Sequence, residues 1–155
     1  MKSVCISSEA GCLRIFATAR GVTQIDFLEI DEPEETTDDP ILQQAIRELR
    51  EYFAGVRKKF EVAIDLQGGT AFQREAWAML CRIPYGQTLS YGAQAKAMGK
   101  PKAVRAVGGA NGRNPLPVII PCHRVISSAG KLHGFSSGIA LKRYLLAIEG
   151  LLIPE

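Results

Sequence analysis

The residues best equipped for chemistry in this chain are Cys122, His123 and Arg124, at the end of the run Asn-Pro-Leu-Pro-Val-Ile-Ile-Pro-Cys-His-Arg-Val from Asn114 to Val125. Cysteine attacks as its thiolate, and adjacent imidazole and guanidinium groups favour that form. Pro115, Pro117 and Pro121 fix φ and withhold an N–H, so the run reads as a rigid, non-helical segment. A reactive group can be aimed from such a loop. A buried, inert cysteine after a Val-Ile-Ile strand is the plainer alternative, but imidazole and guanidinium groups are poor company for a purely apolar site. Neighbours in an extended strand point to opposite faces. His123 therefore reaches the thiol proton only through a bridging water or a tight turn, and would then act as general base. Such a base is steadied by a carboxylate on its other ring nitrogen, and beyond Leu66 the acidic residues are Glu75, Glu149 and Glu155.

Two halves must position these groups. From Lys2 to Ile30 the pattern is strand-like, with Leu13, Ile15 and Ala17 on one parity and turns at Gly11 and Gly21, which predicts an antiparallel meander. The acidic stretch from Asp31 to Asp39 reads as a loop. Asp39-Pro40 opens a helix whose face is Leu42, Ala45, Ile46, Leu49 and Phe53, ending at Gly55. Glu61 to Leu66 alternates as a closing strand, and Gln67-Gly68-Gly69 links to the second half, giving domains 1–66 and 67–155.

Thr70-Ala71-Phe72-Gln73 fits a capping box ahead of a helix with Phe72, Ala76, Met79 and Leu80 on its apolar stripe. Ser90 caps a short helix through about Met98, Gly99-Lys100-Pro101 turns, and a second helix begins near Lys102. Two short helices joined this way have the form of a helix-turn-helix. In the second, Val104 and Val107 pack inward and Arg105 points elsewhere. Gly108 and Gly109 weaken it by roughly 1 kcal/mol each, which is easier to understand if another backbone comes close. A last helix from Ile139 to Glu149 carries the stripe Leu141, Tyr144, Leu145 and Ile148, with Glu149 at the core margin and Gly150 as the stop.

Composition narrows the class. With 46% hydrophobic residues in 155, the chain is long enough for a real core, in one domain or two small ones, and nothing suggests disorder. No run is long enough to span a membrane and no signal peptide opens the chain, so a cytoplasmic protein is expected. Cys5, Cys12, Cys81 and Cys122 are then free thiols. With histidines only at His123 and His133, no zinc set forms near Cys5, and no metal or cofactor is expected. Net charge is +3, but through Leu66 there are 8 basic against 13 acidic residues and thereafter 11 against 3. The basic charge belongs to the half that carries the cysteine, as expected when that half faces a polyanion.

Ile-Pro-Cys-His-Arg-Val, preceded by Arg-Ala-Val-Gly-Gly-Ala-Asn-Gly-Arg-Asn-Pro and followed by Gly-Phe-Ser-Ser-Gly and Leu-Leu-Ala-Ile-Glu-Gly, resembles the O6-alkylguanine-DNA alkyltransferases. The match runs from about Phe72 onward; the first third is similar only in layout. The resemblance implies an α/β (α+β) fold: a small N-terminal antiparallel sheet with a helix, ribonuclease H-like, and a mainly α winged helix-turn-helix domain. It implies single-turnover transfer of an alkyl group from O6-alkylguanine in double-stranded DNA to Cys122 by a monomer without cofactor, and leaves O4-alkylthymine open. By the same resemblance Glu149 steadies His123, Asn114 ties the helix-turn-helix to the cysteine loop, and Tyr91 assists the departing guanine. Arg105 enters the base stack, with Lys102, Ala106, Gly108 and Arg113 on the DNA side. Backbone carbonyls of Cys122 and Val125 accept from the exocyclic amine. Phe135, Ser136 and Ser137 close over the base, although glycine is often found at the Ser137 position.

Two other classes compete. A cysteine hydrolase using Cys122 and His123 predicts repeated turnover and gives the helix-turn-helix no task. A non-catalytic DNA-binding relative would lack the cysteine that is present here.

Overall fold

The computed structural model describes residues 1–132 and 138–153. The chain divides into two compact units, Met1–Gln67 and Gly68–Glu155.

In the first unit, strands β1 (Lys2–Ser8), β2 (Gly11–Ala17) and β3 (Val22–Phe27) form an antiparallel meander in the order β1-β2-β3. The register pairs Val4 with Ile15 and Ile6 with Leu13, so the apolar parity of both strands shares one face. Helix α1 (Pro40–Phe53) covers it with Leu42, Ala45, Leu49, Tyr52 and Phe53. Asp39 starts the helix by accepting from Leu42 N at 2.9 Å, with Pro40 at its first turn. The free edge of β1 is covered by the acidic loop: Glu35 N donates to Cys5 O, and Cys5 N to Glu35 Oε1, both at 2.9 Å.

The closing strand expected over Glu61–Leu66 is reduced to a single parallel bridge between Val22 and Ile64. The reason lies in α1. Buried Glu48 takes the N–H groups of Glu61 and Val62 at 2.8 and 3.0 Å, so a carboxylate satisfies what a ladder would otherwise pair. Gly21 lets this segment close onto β3, because a Cβ there would lie 2.7 Å from the backbone of Ala63 and Ile64. Gly21→Ala is therefore expected to destabilise the protein by about 1–3 kcal/mol, read as a lower urea midpoint at unchanged slope.

In the second unit, helix α2 (Ala71–Leu80) begins with the expected capping box, Thr70 and Gln73 bonding each other's backbone N–H. Helices α3 (Tyr91–Ala97) and α4 (Val104–Gly112) make the helix-turn-helix and pack with α2. Ser90 caps α3 through Ala93 N at 3.0 Å. Helix α4 starts at Val104 rather than near Lys102, because Ala103 N donates back to Lys100 O and closes a turn first. Val107 is buried as expected, but Val104, in the first turn, is 39% exposed, and Ala110 and Asn111 complete the inner face instead. Buried polar bonds lock the helices together. Gln94 and Asn111 exchange amide bonds of 3.0 and 2.8 Å, and Trp77 Nε1 donates to Ala110 O at 2.8 Å.

Strands β4 (Leu89–Ser90) and β5 (Val125–Ile126) pair in parallel and join the start of α3 to the cysteine segment. Helix α5 (Ile139–Ile148) is rotated from its expected stripe. Its buried face is Lys142, Leu145 and Leu146, continuing to Glu149 just past its end, whereas Leu141, Tyr144 and Ile148 are only partly covered. The spacing is that of a helix face, but its two ends are charged, and a reading by apolar residues passes over them.

Candidate active site

The segment from Asn114 to Pro121 is non-helical and braced from within. Asn114 follows α4 after its C-cap residue, Arg113. Its Oδ1 accepts from Leu116 N at 2.9 Å and its Nδ2 donates to Ile120 O at 2.8 Å, so one amide spans the loop. Val118 has φ 77, a left-handed conformation that costs a β-branched residue of order 1–3 kcal/mol. Cys122 N donates to Ile120 O at 2.8 Å across Pro121, a tight turn that delivers the cysteine to a single 3-10 turn, Cys122–Arg124. The extended geometry considered for Cys122 and His123 is thus replaced by the tight turn.

Cys122 is 8% exposed and His123 is fully buried. His123 Nε2 lies 2.7 Å from Glu149 Oε2. Arg124 binds the same carboxylate twice, Nε to Oε1 at 2.9 Å and Nη2 to Oε2 at 3.1 Å, and donates through Nη1 to Ile83 O at 2.7 Å. Gly86 N also donates to Glu149 Oε1, at 2.9 Å. Burial pushes the Glu149 carboxyl up, but the bonds from His123 and Arg124 outweigh it and hold the pKa at about 2. An ionised carboxylate only accepts. His123 therefore carries its proton on Nε2, and Nδ1 is the nitrogen with a lone pair to receive another. Burial lowers the His123 pKa against the opposing pull of Glu149, which keeps the resting imidazole neutral.

The thiol departs from the sequence expectation. Burial raises Cys122 to about 11, with the Asn114 side chain, Lys142 and backbone N–H groups pulling the other way. At rest the sulfur is protonated, so it needs a base at the moment of reaction. Arg124, expected to favour the thiolate, is occupied by Glu149 and Ile83 and serves to hold the carboxylate in place.

Tyr91, the first residue of α3, is partly buried, and burial with the nearby Cys122 raises its pKa, so its hydroxyl stays a donor. Val125 O accepts from Lys142 Nζ at 2.6 Å, and that ammonium also lies 5.8 Å from the Tyr91 ring centroid. Lys142 was missed in the sequence; the signal available was its spacing of seven from Glu149 on one helix face. Lys102, Arg105, Ala106 and Arg113 are exposed on and beside α4, and Gly108 is half-buried 3.9 Å from the Tyr91 ring as measured from a built Cβ. Phe135, Ser136 and Ser137 lie outside the described residues. Cys5 and Cys12 are buried thiols with sulfurs 3.3 Å apart, and among the described residues no group of three or more His, Cys, Asp or Glu converges on a metal position. No helix among the described residues is long and apolar enough to cross a membrane.

Comparison with known proteins matches residues 71–151 to the family described as 6-O-methylguanine DNA methyltransferase, DNA binding domain, and residues 1–66 to 6-O-methylguanine DNA methyltransferase, ribonuclease-like domain. A methylated-DNA–protein-cysteine methyltransferase of Methanosarcina barkeri is 42% identical, covering 93% of this chain and 94% of that protein. One of Mycobacterium tuberculosis is 46% identical over 93% of this chain and 89% of its own length, so both likenesses run through both units. The crystal structure of Mycobacterium tuberculosis OGT in complex with DNA superposes with a TM-score of 0.86 at 43% identity, covering 96% of this chain and 92% of that one. The O6-methylguanine-DNA methyltransferase of Pyrococcus kodakaraensis gives a TM-score of 0.71 at 25% identity, over 97% and 100% of the two chains.

Proposed function

Because the chain belongs to the 6-O-methylguanine DNA methyltransferase family, we propose that Cys122 is the acceptor through which it reverses alkylation damage in DNA, once per molecule. The observation that carries the assignment of roles is the buried His123–Glu149 contact of 2.7 Å directly beside Cys122. The protein repairs DNA by direct transfer of an alkyl group from O6-alkylguanine to its active-site cysteine.

In this reading the exposed Lys102 and Arg113 meet the phosphates, and Ala106 and Gly108 offer little bulk on the DNA side of α4. Backbone contacts of this kind give affinity that falls with salt. The O6-alkyl carbon of a stacked guanine is out of line for a sulfur held in a tight turn, so the nucleotide is extruded at a cost of a few kcal/mol, less for a lesion that pairs poorly. Arg105 fills the space it leaves. Carbonyls of Cys122 and Val125 take the exocyclic amine.

His123 Nδ1 then takes the thiol proton, directly or through one water, and the resulting imidazolium is stabilised by Glu149. Sulfur attacks the alkyl carbon, the C–O bond breaks as the C–S bond forms, and the electron pair leaves on the guanine. The Tyr91 hydroxyl offsets that charge. The product is a thioether, whose C–S bond offers water no good leaving group. O6-alkylguanine in a duplex is accordingly the substrate, and each chain is consumed in the reaction.

Peptide mapping after incubation with an O6-methylguanine duplex tests the acceptor: the methyl group is expected on Cys122, and its recovery on Cys81 or in solution would overturn the assignment. Arg105→Ala is expected to slow repair of duplex DNA about tenfold to hundredfold, matching a few kcal/mol of lost extrusion, while hardly changing the reaction with free O6-methylguanine. Equal losses on both substrates would remove Arg105 from the stack.

A further inference from the structure

Two amides sit where α3 meets α4. Gln94 is fully buried and Asn111 is 5% exposed. Gln94 Nε2 donates to Asn111 Oδ1 at 3.0 Å and Asn111 Nδ2 donates to Gln94 Oε1 at 2.8 Å, while Gln94 Nε2 also reaches Ala76 O of α2 at 3.4 Å. Replacing both members of such a pair by apolar groups of the same shape is close to neutral in stability, so stability alone does not account for it. What the amides add is direction. Apolar faces slide past one another with little loss, whereas a reciprocal pair of hydrogen bonds holds a single placement of one helix on the other.

The positions of the pair along the two helices identify what is held. Tyr91 lies three residues before Gln94 and Gly108 three before Asn111, so each is one turn away on the same face. Tyr91 and Gly108 are themselves neighbours, since a Cβ built on Gly108 lies 3.9 Å from the Tyr91 ring. In the other direction Asn111 O accepts from Asn114 N at 3.2 Å, and Asn114 Nδ2 donates to Ile120 O, the carbonyl that also takes Cys122 N. The amide pair is therefore one helical turn from the Tyr91 ring and is joined by successive hydrogen bonds to the turn that carries the sulfur.

We propose that Gln94 and Asn111 are positioning residues for the transfer: their reciprocal amide bonds fix α3 on α4 and so set the Tyr91 hydroxyl relative to the Cys122 sulfur. Both act through Tyr91. The inference deepens the proposed function and rests on Tyr91 assisting the departing guanine. A purine leaves with charge that a placed hydroxyl offsets, so an error in that placement is felt only by a leaving group that needs the help.

Two electrophiles separate this role from a structural one, and neither requires DNA. Free O6-methylguanine gives its methyl to Cys122 while the electron pair leaves on the purine. Iodoacetamide forms its C–S bond as iodide departs unaided and the thiol proton passes to buffer. Peptide mass spectrometry reads both at Cys122. The variant is Gln94→Met with Asn111→Ala, which removes both amides, leaves neither unpaired and nearly conserves their summed volume. Its methyl transfer is expected to fall about tenfold to hundredfold, the cost of misplacing a catalytic group by about 1 Å, with iodoacetamide alkylation unchanged. In a Tyr91→Phe background the same two changes should alter methyl transfer little. Equal losses with both electrophiles, or no loss with either, would mark a pair that only holds the helices together and overturn the proposal. So would a loss of full size in the Tyr91→Phe background. Should the double variant fail to fold, Gln94→Met alone is measured the same way at a temperature where it stays folded, and the same outcomes decide. Failure of the wild-type protein to repair an O6-methylguanine duplex would count against the proposed function itself, whereas a repairing wild type with an indifferent double variant counts against this pair alone.

Discussion

Cys122→Ser is expected to bind an O6-methylguanine duplex as wild type does and to remove none of its methyl groups. The exchange keeps the size of the side chain and the turn that carries it, so His123, Glu149 and the exposed residues of α4 stay in place. What is lost is the nucleophile. A hydroxyl is far harder to ionise than a thiol, and Cys122 already stands at about 11 and must be deprotonated during the reaction. In enzymes where a nucleophile has been removed the loss in rate is on the order of a millionfold, and a loss of that order is expected here. Band-shift titration and a repair assay on the same duplex measure the two quantities separately. Residual transfer within about a hundredfold of wild type would show that another group accepts the methyl.

Glu149→Gln is expected to affect rate and stability through different contacts. The carboxylate only accepts, which fixes the His123 proton on Nε2. A glutamine can present its NH2 instead, favouring the other tautomer, and Nδ1 would then hold a proton and could not take one. Loss of the correct tautomer in a comparable triad costs about 10⁴-fold, and a fall of about 10³–10⁴-fold in transfer rate is expected here. The same change leaves Arg124, 7% exposed, without its anion. Breaking a buried pair from one side costs about 3–5 kcal/mol, so the melting temperature should fall while DNA binding at a permissive temperature is retained.

The pH dependence follows from the same carboxylate. Its pKa is lowered from 4.5 to about 2 on folding, so its contribution to stability is complete above about 4.5 and is lost as pH falls toward 2. Wild type should lose melting temperature over that window, and Glu149→Gln should lose less. Identical acid profiles would mean that Glu149 is not ionised in the folded chain.

The parts of the fold legible in the sequence are those decided locally. Asp39-Pro40, Thr70 with Gln73, and Ser90 are capping signals whose partners lie within three residues, and each starts a helix where expected. The parity of Leu13, Ile15 and Ala17 survives because one slip would turn the whole strand over. The misplaced parts depend on distant partners. Glu61–Val62 reads as a strand until Glu48, far earlier in the chain, takes its N–H groups. The face of α5 was shifted because Lys142 and Glu149 are buried by what they bind, Val125 O and the His123–Arg124 pair, rather than by their own hydrophobicity. Within the site, His123 and Glu149 meet, with Cys122 the residue before His123. The role of Arg124 was inverted, since adjacency in sequence says nothing about which of two acceptors a guanidinium will choose.

The most direct test of the account is the intact mass of the protein after incubation with an excess of O6-methylguanine duplex, with repaired guanines counted in the same tube. The account predicts one added methyl per chain and one repaired guanine per chain, after which the reaction stops. Continued repair by a chain of unchanged mass would contradict it.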